Sequence, residues 1–432
     1  MVNFRQSNIV RICIGCLWLS VLTSGCSDDN KIDEIVPTPI PIPIQLPAEE
    51  VLENAIQSEF EQSRIPGISV GVIKNGALVW AKGFGVGNFE NQLTIDANSV
   101  FNVASIAKTF VGVALMKAVE DYNISIDEDV NRFGLPYLID NPNLNGEEIT
   151  LRHLATHTSG IRDNESAYMC GFIIKGTELN LFEALGLEPG CANPLITDFS
   201  SYLEAYLDSE GFYYDPEQNY AASGSFPGDT FEYSNVGAAL AAKVVSNIVG
   251  MEFDAFTREA IFKPLGLENT YWEYPNVNAP ENSPVSGAVE PPEVVSHYFV
   301  DDEGVMHEIP NYYAATYPDG SLKSSVSDLA KFMIEIMNQG GDLLSSESVN
   351  QLLSDEVIIQ EGRRYGLFWD RIGDHWGHDG SDPGSFSMMY FHPELKSGFI
   401  VLSNTEPDSF PDGSFDNAMA SILVAITEYI EN

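Results

Sequence analysis

An α+β fold is what this chain of 432 residues predicts. Three observations carry that expectation. A hairpin signal stands near the start of the chain, strand-like runs gather near its end, and helices and loops fill the stretch between them.

The first 25 residues hold Arg5 and Arg11, no acid, and an apolar run from Ile12 to Leu22. That run is too short to span a bilayer and reads as a signal peptide. Leu22-Thr23-Ser24-Gly25-Cys26 resembles the lipobox of bacterial lipoproteins, and Ser27-Asp28-Asp29 resembles the acidic export signal of some surface lipoproteins. Lipidation at Cys26 is therefore expected, with an ordinary signal peptide cleaved nearby as the alternative. The lipid places the protein at the cell envelope and is its one expected link to a membrane. Residues 26–47, where Pro37, Pro39, Pro41, Pro43 and Pro47 alternate with Thr and Ile, read as an extended tether.

Residues 48–432 have mixed composition and no obvious repeat, enough for a large core. The formal net charge of −42 argues against nucleic-acid binding, which needs a basic footprint. Of the five cysteines, Cys13 and Cys16 leave with the leader and Cys26 carries lipid. Cys170 and Cys191 remain in an oxidising setting, as a disulfide or as two buried thiols. A bond between them closes a loop of about 20 residues, worth roughly 3 kcal/mol.

Glu49–Ser63 has helical spacing of Val51, Leu52, Ile56 and Phe60. Gly67–Lys74 and Ala77–Phe84 are β-rich and joined by Asn75-Gly76, a strong hairpin signal. Gly67-x-Ser69-x-Gly71 matches a nucleophile-elbow pattern, but its serine falls mid-strand and no helix follows. Gly83–Gly87 lacks the spacing of a dinucleotide loop and reads as a turn.

Phe101–Asp121 opens with a small-residue turn and continues as an apolar helix. Ser105 and Lys108, the chain's single Ser-x-x-Lys, share a face of its first turn. A serine is a poor nucleophile unless a base takes its proton, and a lysine desolvated one turn on serves as that base. The helix N-terminus adds N–H groups where negative charge would develop.

In Leu151–Gly160, His153 and His157 stand four apart, with no H-E-x-x-H and no third ligand. They read as part of a helix ending in a Thr-Ser-Gly turn, with no metal expected. Residues 162–228 are rich in Gly, Pro, Asn and aromatics, with a short helix near Phe199–Leu207. Tyr233-Ser234-Asn235 then leads into a small-residue helix. Its tyrosine can share a proton with Lys108, and Asn235 can bond a substrate amide. Tyr274-Pro275-Asn276 has the same pattern without those flanks.

Residues 275–310 read as loop and Ser321–Met337 as a helix capped near Ser327-Asp328. Tyr365–Arg371, His375–Gly377, Phe386–His392 and Gly398–Asn404 read as strands, and Phe415–Ile430 as a last helix. His378-Asp379-Gly380 is positioned to aim an imidazole into a cleft, in preference to His375-Trp376-Gly377 on the opposite face. The N–H of Ser381 would pair with that of Ser105 as an oxyanion hole.

Ser105-x-x-Lys108, Tyr233-x-Asn235 and His378-x-Gly380, with LATHTSG, Pro-Gly-Asp-Thr and KPLGLENT around them, resemble the serine β-lactamase and penicillin-binding-protein superfamily over about residues 48–430. The class C and esterase-like branch looks most similar. The resemblance implies an antiparallel sheet flanked by helices and built from both chain ends, with a mostly helical region inserted. It implies a serine acyl-enzyme on an amide or ester, a small-molecule or peptide substrate, and no metal or cofactor. Ser105 is then the nucleophile, Lys108 and Tyr233 the coupled base and acid, and Asn235, His378, Gly380 and Ser381 the substrate-binding set. His378 stands where antibiotic-hydrolysing members carry a lysine that meets a substrate carboxylate; histidine is mostly neutral near pH 7. The competing expectation is a non-catalytic surface lipoprotein that keeps the cleft to bind peptide or glycan.

Overall fold

Asn75 and Gly76 both take positive φ, 54° and 73°, and close the first hairpin as the Asn-Gly pair predicts. The computed structural model describes residues 47–144, 146–274, 293–301 and 303–432. The expected leader, lipidated Cys26 and tether thus fall almost wholly outside the described residues, as does most of Tyr274-Pro275-Asn276.

The main sheet has nine strands: β1 (Gly67–Lys74), β2 (Ala77–Asn88), β3 (Leu93–Thr94), β4 (Val357–Gln360), β5 (Arg363–Tyr365), β6 (Asp370–Ile372), β7 (His375–Asp382), β8 (Ser385–His392) and β9 (Ser397–Ser403). They run β4-β5-β6-β7-β8-β9-β1-β2-β3, each pair antiparallel. The two chain ends meet where β1 pairs β9, with Val70 opposite Val401.

Strand alternation divides the core. Val70, Val72, Met388, Tyr390 and Val401 join helices α1 (Ala48–Gln62) and α5 (Ser414–Glu431) through Leu52, Ile56, Phe415 and Ile422. Ile73, Met389, Phe391, Ile400 and Leu402 face the other way, against α2 (Ala107–Tyr122) and α4 (Val326–Met337). There Phe110 stacks on Phe332 at 3.8 Å between ring centroids. Helix α2 is apolar on nearly every side and buried on nearly every side, as its composition requires. Helix α3 (Asn235–Val249) packs beside it, capped by the Ser234 hydroxyl at one end and by Gly250 at φ 69° at the other.

Several boundaries differ from the sequence reading, and Gly83–Gly87, read as a turn, instead continues β2 to Asn88 because β1 pairs it through Gly83 and Gly85. Helix α4 starts at Val326, because Ser325 caps it and Leu322–Ser324 instead forms a strand between Phe101–Asn102 and Tyr271–Trp272. The run at 365–371 breaks into β5 and β6, since Phe368 turns the chain with φ 59°. Strand β7 continues past Gly377 to Asp382, because β8 pairs it over that whole length. In the expected loop, His297–Val300 and Met306–Ile309 form a hairpin.

The segment at 162–228 holds the Phe199–Leu207 helix as expected and a disulfide joining Cys170 to Cys191. Immediately after Cys170, Phe172–Ile174 pairs with Tyr312–Ala314.

Candidate active site

The turn before α2 is held in an unusual posture. Ala104 takes φ 44°, a left-handed conformation that costs a non-glycine residue about 1 kcal/mol or more. Ser385 and Ser387 on β8 donate their hydroxyls to the Asn102 and Val103 carbonyls, both at 2.7 Å. A Cβ placed on Gly380 would meet the Ser105 nitrogen at 2.6 Å and the Ala104 Cβ at 2.9 Å. Strand β7 therefore abuts the turn backbone to backbone, and Ser105 follows it half-buried at the mouth of α2. Ser69, by contrast, is buried in β1 and donates to the Asp96 carbonyl.

Lys108 is fully buried and its Nζ has three partners: Ser105 Oγ at 3.0 Å, Asn235 Oδ1 at 2.7 Å and the Asp319 carbonyl oxygen at 2.7 Å. Burial holds its pKa below that of an ordinary lysine, and the Asp319, Asp382 and Asp163 carboxyls oppose that shift. Two of the three partners are carbonyl oxygens and accept only. A neutral amine has two N–H groups for those two carbonyls, which leaves its lone pair facing the Ser105 hydroxyl.

The Tyr233 hydroxyl is near enough to Ser105 for the serine to lower its pKa, and the Tyr233 ring centroid lies 5.1 Å from Lys108 Nζ. Burial nevertheless pushes the phenol well above the usual tyrosine range, with Asp379, Asp163 and Asp319 adding to the rise, so it is a neutral donor. Ser105, Lys108 and Tyr233 thus converge, as the sequence predicts.

Asn235 and His378, expected to contact substrate, have protein partners for their polar atoms. The Asn235 amide accepts from Lys108 and donates to Asp163 Oδ2 at 2.8 Å. His378 is 4% exposed and both of its ring nitrogens are engaged. Nε2 meets the Tyr365 hydroxyl at 3.0 Å, and Nδ1 meets the Asp379 carbonyl. Burial lowers the His378 pKa to about 3, with Lys108 and Arg363 acting the same way, so the ring is neutral. Gly380 and Ser381 lie where expected, on β7 beside the Ser105 turn. Past Gly377 the outer edge of β7 has no partner in β6.

Sequence reasoning misses two carboxyls. Asp163 accepts from the Asn235 and Val236 N–H groups, the Ser234 hydroxyl and the Asn235 amide, and so fixes the start of α3. Asp319 is 1% exposed, and its Oδ2 accepts from the Tyr168 hydroxyl. Burial raises its pKa to about 8, Lys108 acting against that and Asp382 with it. Neither belongs to a short motif, and both reach the site across long stretches of chain. Among the described residues no group of three or more His, Cys, Asp or Glu is placed to hold a metal ion. His153 and His157 have separate partners, Thr150 for the first and Ser234 and Tyr365 for the second.

Comparison with known proteins agrees with this geometry. A sequence profile of the family described as "Beta-lactamase" matches residues 52–422. Penicillin-binding protein 4* of Bacillus subtilis (strain 168) is 26% identical over 361 residues, covering 81% of this chain and 70% of the relative. Protein flp of Staphylococcus aureus (strain N315) is 20% identical over 369 residues, covering 84% of this chain and 64% of the relative, so the chain spans under two thirds of that protein. Among solved structures, the octameric penicillin-binding protein homologue from Pyrococcus abyssi superposes with a TM-score of 0.63 at 25% identity, covering 86% of this chain and 77% of its own. D-amino acid amidase from Ochrobactrum anthropi SV3, complexed with L-phenylalanine amide, gives a TM-score of 0.65 at 18% identity, covering 89% and 99%, and shares the fold.

Proposed function

The chain belongs to the beta-lactamase family, and from that premise we propose that it is a serine hydrolase forming an acyl-enzyme at Ser105 on an amide or ester. One observation carries the reading: Lys108 Nζ lies 3.0 Å from Ser105 Oγ while two carbonyl oxygens claim its N–H groups.

Ser105 Oγ attacks the substrate carbonyl carbon and its proton passes to the Lys108 lone pair. The new oxyanion sits between the N–H groups of Ser105 and Ser381. The Tyr233 phenol gives its proton to the leaving nitrogen or oxygen and regains one from the Lys108 ammonium. The acyl ester that remains is cleaved by water, whose proton follows the same route in reverse.

The surroundings favour a substrate that is uncharged or cationic beside the scissile bond. His378 is a neutral ring whose two nitrogens are both occupied, and the next polar side chain on the same face of β7, two positions past Gly380, is Asp382, a carboxyl raised to about 6 by burial. Strand β7 offers a substrate carboxylate no fixed cation. Esters, or amides of the amino-acid class for which the Ochrobactrum amidase is named, suit this site better than penicillins, in keeping with the esterase-like branch of the family. We further propose that lipid on Cys26 and the proline-rich stretch to residue 47 tether the domain to the cell envelope. If Cys26→Ala leaves membrane association and processing unchanged, that tethering is wrong.

The enzymatic test is labelling with a fluorophosphonate probe, followed by digestion and by assay on p-nitrophenyl acetate, D-phenylalanine amide and nitrocefin. Labelling on the Ser105 peptide and turnover lost in Ser105→Ala are expected. A probe that leaves Ser105 unmodified, with no turnover of any of the three, overturns the reading.

A further inference from the structure

We infer that His157 is a positioning residue for Tyr233, and that a one-way chain of hydrogen bonds through Tyr365 to His378 holds it in place. The inference rests on the role proposed above for Tyr233, but its geometry stands apart from that role.

His157 grips three consecutive residues. Its carbonyl accepts from the Glu232 N–H at 2.7 Å, and its Nδ1 accepts from the Ser234 N–H at 3.1 Å. Its ring lies against the Tyr233 ring, 4.3 Å between centroids and tilted by 36°. The residue takes φ 53°, a left-handed posture that non-glycine residues adopt only when their surroundings impose it.

The proton positions follow from the partners. The Ser234 N–H only donates, so His157 Nδ1 is the acceptor and a neutral ring carries its hydrogen on Nε2. That Nε2 meets the Tyr365 oxygen at 3.1 Å, so the phenol accepts from His157. The phenol's own hydrogen then goes to His378 Nε2 at 3.0 Å. His378 keeps its hydrogen on Nδ1, which meets the Asp379 carbonyl. The two rings are therefore opposite tautomers; a second proton on His157 would face the Ser234 N–H donor, and one on His378 would displace the Tyr365 hydrogen and reverse that link. The charged groups around them act in the same sense: Lys108 lowers both rings, and Arg363 lowers His378.

The chain links two elements of the site. At one end stands the tyrosine beside Ser105. At the other is β7, whose Gly380 abuts the Ser105 nitrogen. Tyr365, 1% exposed, is the strut between them, and its hydroxyl bonds the two rings rather than Ser105 or Lys108.

Two measurements test this. Nitrogen-15 spectra of the histidine-labelled protein between pH 5 and 8 should show two neutral rings of opposite tautomer whose shifts stay constant. Either ring titrating in that range, or both sharing one tautomer, overturns the inference. Tyr365→Phe should lower kcat about tenfold with KM within about twofold, and should add a second protonation to the acid side of the profile, making it steeper than the parent's single Lys108 limb. A kcat and pH profile that superimpose on the parent overturn it as well. A parent protein with no turnover would sink the proposed function while leaving the spectra to decide the chain.

Discussion

Gly380 and the Ser105 amide nitrogen are in backbone contact: a single added carbon on the glycine would stand 2.6 Å from that nitrogen. No side chain fits between them, because Ser387 Oγ and the Ala104 Cβ close the remaining space at 2.8 and 2.9 Å. The strand edge and the nucleophile's turn therefore move together or not at all.

Gly380→Ala must push the turn and strand apart. We expect kcat to fall about 100-fold, since a displacement near 1 Å at a reacting group has that effect. The fluorophosphonate should react with Ser105 correspondingly more slowly. An alanine variant that labels at the parent rate would refute the contact's importance.

Lys108→Met should lower kcat/KM by about 10²–10⁴-fold, the range for a lost general base. In the parent, kcat/KM should rise with pH as the Lys108 ammonium gives up its proton, at a midpoint below the ordinary lysine value. The methionine variant's residual activity should lack that limb.

Asp319 makes a prediction of opposite sign for stability. Its folded pKa of about 8 lies above the unfolded value of 3.8, so the folded protein binds the extra proton between those two pH values. Stability from this group is fully present below pH 3.8 and declines as pH rises toward 8. The melting temperature of Asp319→Asn relative to the parent should therefore improve between about pH 5 and pH 8. A Tm difference that is flat over this range would count against the burial of that carboxyl.

Asp163→Ala removes the acceptor for two N–H groups at the start of α3, for the Ser234 hydroxyl and for the Asn235 amide. A loss of about 1–3 kcal/mol in urea unfolding is expected. Activity should fall too, because the Asn235 amide that orients Lys108 is released.

Replacing Cys170 and Cys191 by serine opens a loop whose ends lie 21 residues apart in sequence. A drop of roughly 3 kcal/mol in urea-derived stability checks that bond's contribution. An unchanged urea midpoint would mean the segment is held by its packing alone.

Much of this fold and site is legible in the chain because it rests on short-range chemistry. Asn75-Gly76 dictates its own turn, and Ser105 and Lys108 are neighbours on one helix turn wherever that helix lies. The helix at 107–122 announces its burial by its composition. Asp163, Asp319 and Tyr365 are not legible, since each acquires its meaning from a partner 72, 211 and 208 residues away. No local period or cap marks such a residue. His378 is legible in position but not in partner. Its motif places it on the strand, whereas its hydrogen bond to Tyr365 depends on a residue outside any motif. Local pattern also sets the start of α4 too early, because Leu322–Ser324 is drawn into a sheet by Phe101–Asn102, a tertiary pull that outweighs helical preference.

Helices α1 and α5 lie on one face of the sheet, and Ser105 and Lys108 belong to the layer on the other. Ala48 therefore opens a helix on the face of the sheet opposite Ser105, so an attachment made at that end starts from the side away from the nucleophile. Immobilised through that end, the enzyme should meet bulky substrates as readily as it does free in solution.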